Sequence, residues 1–539
     1  MAAELMPMRA DGTLPPLTTL VRWMGALPRT ASARLRCMPA GNSVLPDLLA
    51  LGGIENLASP GLPACTWSGA ASACVRLNPS ADARAPVHHR GAFASAPPSD
   101  VVAEPEPADR VTDAWEILRA VHESSPTHRD PVPSPAGPWI WNPFPFPRRA
   151  LATIALEAPQ ARSVIDAYGR RHPLQALGGS TERLVGLELG ALAGCGLTAS
   201  DEPAAGAHWD VGPSVIDNGR VRAELDADGR VSRLCWDGLF ADLAAPAVRA
   251  SVDGVAVAGP WEVRVLESGP VRARVRTAAM TAGGRMNIDY VLHEHDDCLR
   301  VEVAYDGEGR LEIGHATEHR ANTLMVADEL RIAPAARGES LRGLRWLALG
   351  DDDARGLAIV GATPFTARVD DGLITVLARR QLSYALAAKH RSPRTLPLSL
   401  LAQSLESPHR VRTGQTLGSA PTSASAFRFA NLRSLVPLWA QKPRDWDGEL
   451  LLSEQALARG RALFLPPPGQ GGRVGIAVTV DARGTVVRTL PMTPEGDGFH
   501  LDYGPGEILI LRWRLSVGGA AAGGAPDIAP PALPPGRRG

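Results

Sequence analysis

From Trp139 to Leu515 the sequence is built of short runs whose polarity alternates at every second residue, cut apart by turns bearing glycine and proline. That period constrains the fold more than any other feature. Successive side chains of a strand point to opposite faces, so alternation gives one buried face and one wet one. Ala150–Leu156 and Arg183–Leu189 alternate in this way and read as two strands of a small antiparallel module that ends near Asp201-Glu202-Pro203. Ser214–Leu225 reads as strand, turn and strand. Asp226-Ala227-Asp228-Gly229 then supplies a hairpin turn, and Arg230–Leu234 returns. Further strands are expected at Trp261–Leu266, Val271–Thr277, Met286–Leu292, Leu299–Tyr305, Leu357–Val360 and Leu373–Leu377. A last set is expected at Arg473–Val480, Val486–Leu490 and Glu507–Leu515. Many strands at short intervals with few helical periods predict a sandwich.

The front reads differently. Leu17–Leu27 and Leu45–Leu51 have helical periods, and a Pro/Ala/Ser/Asp-rich stretch with little to bury follows, closing on Glu104-Pro105-Glu106-Pro107. Thr112 is a suitable cap for a helix that puts Trp115, Leu118 and Val121–His122 on one face. Prolines at 126, 131, 133, 135 and 138 then mark a linker. The expected organisation is an irregular remnant over 1–110, helix and linker over 111–138, and a small β module over 139–212. A large β unit over 213–412, a final β module over 413–515 and a disordered Gly/Ala/Pro tail over 516–539 complete it.

Composition closes off several function classes. With 56 basic and 57 acidic residues the chain has no net field to draw nucleic acid or an anionic membrane, so neither is expected as a partner. Only Lys389 and Lys442 are lysines; the arginine excess, with abundant Ala, Gly and Pro, reads as GC-rich codon usage. No run of eighteen apolar residues predicts a spanning helix, and no secretory leader is evident. Six scattered cysteines without a Cys-x-x-Cys pair read as reduced thiols of a cytoplasmic protein.

Four stretches resemble the C-terminal half of glycoside hydrolase family 38, the α-mannosidase family, in its order. Trp139–Arg149 is similar to "V-V-F-N-P-L-P-W-x-R", and Val215–Leu234 to "I-E-N-x-x-L-R-V-x-x-D-x-x-G-x-I-x-S-L". Val265–Val275 resembles "V-x-E-x-G-P-V-R-A-x-V", and Gly504–Arg512 resembles the closing "P-x-E-I-x-T-L-R-L". The resemblance spans about 375 residues and implies a galactose-mutarotase-like β-supersandwich flanked by small β modules. For the front it implies a zinc-bearing (β/α) barrel with an aspartate nucleophile, followed by a helical bundle. Met38–Ile54 resembles the nucleophile block, yet Ala40 follows Pro39 where the aspartate belongs. Ala114–Leu118 followed by His122-Glu123 resembles the bundle helix that delivers a metal-ligand histidine, with Glu in place of Asp. The front therefore reads as a short α/β remnant, with His122 and Glu123 as vestigial active-site candidates.

Other constellations of histidine, carboxylate and tryptophan have plain structural roles as the simpler reading. The resembled zinc site uses a His-x-Asp pair at the end of a barrel strand. His128-Arg129-Asp130, His208-Trp209-Asp210 and His295-Asp296-Asp297 have that spacing, but none opens a barrel. His293 and His295 with His315 and His319 have spacings compatible with a four-histidine site, yet a polar strand face explains them more simply. Twelve tryptophans against five tyrosines raise the question of sugar-stacking platforms; core packing accounts for Trp139, Trp141, Trp209, Trp236, Trp261 and Trp346 more readily. No cofactor and no metal is therefore expected in this chain, although intact relatives of the resembled family carry zinc.

These observations together predict a mainly β, carbohydrate-related protein of the α-mannosidase type, with its scaffold kept and its catalytic machinery lost. A carbohydrate ligand is the expected partner, with self-association or a separate catalytic chain covering the apolar faces of an eroded front. Three alternatives stay open at this level: a non-catalytic carbohydrate-binding or assembly module, the product of an incomplete gene, and a β protein unrelated to sugars.

Overall fold

The computed structural model describes residues 139–516 with interruptions, the longest at 406–427, and in the front residues 4–5, 20–21, 24, 33–34, 56–59, 65–68 and 74–79. The chain is mainly β, as its alternation predicts. In the front, Glu4–Leu5, Ala33–Arg34, Asn56–Ser59 and Cys74–Pro79 pair in parallel in that order, and Cys65–Ser68 closes the edge antiparallel. Leu20, Val21 and Met24 are helical and buried between the first two strands, within the helix expected over Leu17–Leu27. A parallel pair needs such a crossover. Little regular structure was expected beyond Leu51, and the three strands over Asn56–Pro79 correct that. Their alternation is too short to stand out against the Ala/Pro background, and the neighbouring strands fix them. The helices expected at Leu45–Leu51 and Thr112–His122 lie outside the described residues.

The first β module is a small sandwich. Arg148–Ala155 and Glu182–Leu189 pair antiparallel from Arg148↔Leu189 to Ala155↔Glu182, with Gln175–Ala176 alongside. Trp139–Trp141, Gly194–Ser200, Ser163–Asp166 and Arg171–Pro173 make the facing sheet. Ile140, Ile154, Val164, Val185, Leu187 and Leu197 fill the space between.

The central unit is larger. Asp210–Gly212, Val215–Asp217, Val221–Leu225, Val231–Trp236 and Leu239–Asp242 form a meander of five antiparallel strands. A thirteen-stranded sheet lies beside it, running through Leu311–Ala316, Leu373–Ala378, Gly356–Asp370, Gln381–Ala388, Leu299–Tyr305, Gly284–His293 and Arg272–Thr281 to Glu262–Ser268 at one edge. Val221, Ala223 and Leu234 of the meander share one core with Ile288, Val301 and Leu386 of the large sheet.

One contact shows how far the large sheet curls. His315 and Tyr384 sit on strands with two others between them in sheet order, so a flat sheet would hold them about 14 Å apart. Their side chains instead meet at 2.6 Å, His315 Nε2 to Tyr384 Oη, buried within the fold. The sheet therefore wraps round its own core, which is the supersandwich expected from the sequence.

The last module packs Leu435–Gln441, Gly448–Glu454, Ile508–Ser516, Arg473–Val480 and Val486–Thr489 against Arg428–Ala430, Gly460–Leu465 and Phe499–Tyr503. Phe464 stacks on Phe499 at 4.8 Å between ring centres, beside a fully buried Trp513.

The same turn chemistry recurs in all three units. At Asp166, Asp226 and Asp481 a carboxylate oxygen accepts the amide of the residue four on, at 2.9, 2.8 and 2.8 Å. Each turn carries a glycine three residues on, at φ of +77°, +69° and +84° (Gly169, Gly229, Gly484). An aspartate that mimics a backbone turn, followed by a residue free to enter the left-handed region, closes a hairpin.

Candidate functional site

The densest set of ionisable groups with altered proton affinity surrounds the turn between Gly284–His293 and Leu299–Tyr305. Two long strands of the large sheet must reverse there, and the sequence His293-Glu294-His295-Asp296-Asp297-Cys298 does so with five polar residues in a row. The turn is braced from within. Asp296 Oδ2 accepts from Arg300 Nε at 2.8 Å and lies 3.1 Å from His293 Nδ1. Burial opposes ionisation of Asp296, but Arg300 and then His293 outweigh it and hold the carboxyl well below the usual range. Burial also pushes His293 down, against the pull of Asp296, and raises the Cys298 thiol.

Three segments distant in sequence converge on this turn. Arg149 donates from Nη1 to the His295 carbonyl at 2.6 Å and to Asp297 Oδ2 at 2.9 Å, and from Nε to Glu188 Oε1 at 3.1 Å. Arg220 donates to Asp297 Oδ1 at 3.0 Å. Asn218, buried, donates from Nδ2 to the carbonyls of His293 and Asp296 at 2.7 and 3.0 Å. Its Oδ1 accepts the amides of Arg220 and Val221 at 3.0 and 2.8 Å. Close by, Gln175 Oε1 accepts the amides of Val271 and Arg272 at 3.1 and 2.7 Å, while its Nε2 donates to Glu267. Arg149, Asn218 and Glu267 belong to three of the four stretches that carry the family resemblance. Those stretches meet here in space.

Glu294 is the exception in this network. Its side chain is 11% exposed, and Oε2 has no hydrogen-bond partner among the described residues. His295 Nε2 stands 3.8 Å away. Burial pushes the Glu294 carboxyl up to about 7. Burial likewise lowers His295, with Glu188 opposing and Arg149 and Arg220 assisting. At Glu188 burial is outweighed by Arg149, and the carboxyl is lowered. A protonated and an ionised carboxyl beside one histidine is a combination that acid–base chemistry uses. Here, however, Glu294 Oε2 lies beside Gly186, and the surrounding groups are spent on joining modules.

The sequence-derived candidates fare unequally. His122, Glu123, Ala40, His128 and Asp130 lie outside the described residues. Of the four histidines weighed as a metal set, His293 pairs with Asp296, His315 with Tyr384 in the core, and His319 is not described. They are not brought together. Asp210 of the second His-x-Asp triplet pairs with Arg222, and His208 is not described. Among the described residues no group of three or more His, Cys, Asp or Glu is placed to hold a metal ion. The zinc that the resemblance implies finds no seat among them. Trp236 and Trp346 are buried, and Trp209 and Trp261 pack against the core, as read from the sequence. Arg149 and Asn218 lie in stretches that carry the resemblance but were not expected as junction residues, and Gln175 lies outside every such stretch. Among the described residues no helix is long and apolar enough to cross a membrane.

No family model matches this chain, and no curated protein does. Among solved structures, an alpha-mannosidase from Enterococcus faecalis V583 is similar with a TM-score of 0.52 at 11% identity, over 70% of this chain and 56% of that one. The chain thus corresponds to little more than half of that enzyme. A galactose mutarotase-like protein from Lactobacillus casei ATCC 334 is similar over 32% of this chain and 99% of its own, with a TM-score of 0.23 at 8% identity. An alpha-N-acetylgalactosaminidase from Bifidobacterium bifidum follows, with a TM-score of 0.26 at 11% identity over 32% and 36%. The last two scores are too low to carry an argument. The first shows the fold alone: the β architecture of this chain is similar to that of the matched part of the alpha-mannosidase.

Proposed function

We propose that this chain is the β scaffold of a glycoside hydrolase of the family 38, α-mannosidase type, carbohydrate-related and without hydrolytic activity of its own. The observation that carries the reading is the similarity to an alpha-mannosidase over 70% of the chain. Two features support it: the resemblance stretches hold the family's order, and three of them meet at the turn 293–298. A retaining glycosidase needs two carboxyl groups about 5–5.5 Å apart, open to a sugar. The resemblance puts Ala40 where the nucleophilic carboxylate belongs; of the altered carboxyls at the junction, Glu294 and Asp296 are largely buried and the exposed Glu188 is paired with Arg149.

Incubating the purified chain with an aryl α-mannoside, with and without zinc, tests this. No release of the aryl group above background is expected in either condition. Release that depends on zinc and is abolished by a chelator would overturn the reading.

A further inference from the structure

The junction contains one group that the reading above does not use. Glu294 hydrogen-bonds through its backbone amide to the Val271 carbonyl at 2.9 Å, which fixes its side chain between the large sheet and the strand Glu182–Leu189. Oε2 would lie 3.6 Å from a Cβ built on Gly186, with His295 Cδ2 at 3.7 Å and Val271 Cγ1 at 3.8 Å. Position 186 therefore presents bare backbone to the carboxyl.

Each cation nearby is committed elsewhere. Arg149 is held by Glu188, Asp297 and the His295 carbonyl, and Arg220 by Asp297. Arg272 forms a two-pronged pair with Glu267 at 2.7 Å, and Arg300 binds Asp296. His172 Nε2 pairs with Asp166 at 3.0 Å, and His293 with Asp296. His295 faces Glu294 directly, but burial disfavours its cationic form. An ionised Glu294 finds no donor for Oε2 in the closed junction among the described residues.

We propose that Glu294 is a proton-operated latch between the small β module and the supersandwich. With its carboxyl protonated the strand Glu182–Leu189 stays seated on the turn, and with it ionised the module loosens and water reaches Oε2. A buried charge without a partner is costly, and the least expensive relief is local opening. The sign follows from burial, which raises this group from 4.5 to about 7. At low pH both closed and open forms carry the proton and the junction is unaffected. As pH rises past the ordinary glutamate value the open form ionises first, so closure weakens steadily and the loss is complete above about 7.

Cys298 ends the same turn and is 1% exposed in a core cluster with Ala327 and Trp346, so its labelling reports opening that frees the turn itself. The full chain and Glu294→Gln would be labelled with a maleimide, and the Cys298 peptide quantified by mass spectrometry at about pH 5.5 and about pH 8.5. Comparing the two proteins at the same pH cancels the intrinsic reactivity of the thiol. The labelling excess of the wild type over Glu294→Gln should be at least about threefold larger at the higher pH than at the lower. Equal rates at both would overturn the latch. If the variant does not fold, hydrogen exchange of residues 182–189 and 294–298 in the wild type decides. Corrected for intrinsic exchange, a loss of protection that grows from about pH 4.5 and levels off above about pH 7 supports the proposal, and a flat profile from about pH 4 to about pH 9 rejects it. His295→Gln should keep the step; its disappearance there would assign the titration to the histidine and overturn the proposal.

Discussion

Removing the Asn218 side chain would strip four hydrogen bonds from the junction at once: two given to the His293 and Asp296 carbonyls, two taken from the Arg220 and Val221 amides. The residue is 6% exposed, so water does not readily replace them. A net hydrogen bond contributes about 1 kcal/mol, and a buried group left unpaired costs about 1–3 kcal/mol. Of the two backbone amides, that of Arg220 is partly exposed and open to rescue by water, and that of Val221 is buried. Asn218→Ala should therefore cost roughly 3–5 kcal/mol. Asn218→Asp separates donor from acceptor roles. It keeps the acceptor for both amides but sets a carboxylate against two carbonyl oxygens, which favours its protonated form. Its pKa in the fold is expected above the ordinary aspartate value. The penalty is then smallest at pH below that value and complete above the raised one. Urea unfolding followed by tryptophan fluorescence measures both variants, with Arg264→Ala as the control. The Arg264–Glu262 pair is exposed and worth less than about 1 kcal/mol. A loss for Asn218→Ala no greater than the control, or an Asn218→Asp penalty independent of pH, would refute the reasoning.

Two further outcomes follow from the fold. Gly229→Ala should cost more than about 2 kcal/mol, because φ is +69° and a Cβ would collide with Thr277 and stand 2.8 Å from Val263 Cγ2. Gly169→Ala, at φ +77° with open space around it, should cost only about 1 kcal/mol, and equal losses on thermal melting would show that steric contact does not matter. Tyr384→Phe removes the 2.6 Å hydrogen bond to His315 in the core and should lower stability by about 1–2 kcal/mol; no change in the melting transition would mean the curled sheet does not depend on it.

Much of the β architecture is legible in the residues because burial follows the period. Leu299–Tyr305 alternates buried and half-buried positions and coincides with the strand read from the sequence. Val221–Leu225 does the same. Two of the strands overlooked are ones where the period vanishes. Gly448–Glu454 is buried at all seven positions, and Ser340–Gly350 at its last seven, so neither shows alternation. A strand covered on both faces reads as a plain apolar run. The junction was hidden for a different reason. Asn218 reaches His293 across 75 residues, Gln175 reaches Val271 across 96, and Arg149 reaches His295 across 146. No local pattern encodes such pairs. What the sequence did carry was the stretches themselves, and folding gives their shared order a physical meaning by bringing three of them to one turn.

That meaning rests on the 293–298 turn being a joint between modules. A double-mutant cycle on Arg149 and Asp297, whose side chains meet at 2.9 Å and are each about one third exposed, tests it most directly. Arg149→Ala, Asp297→Ala and the double variant would be compared with the wild type by urea unfolding. The account predicts a favourable coupling of about 1 kcal/mol or more between the two sites. Losses that simply add, with coupling below about 0.3 kcal/mol, would contradict it.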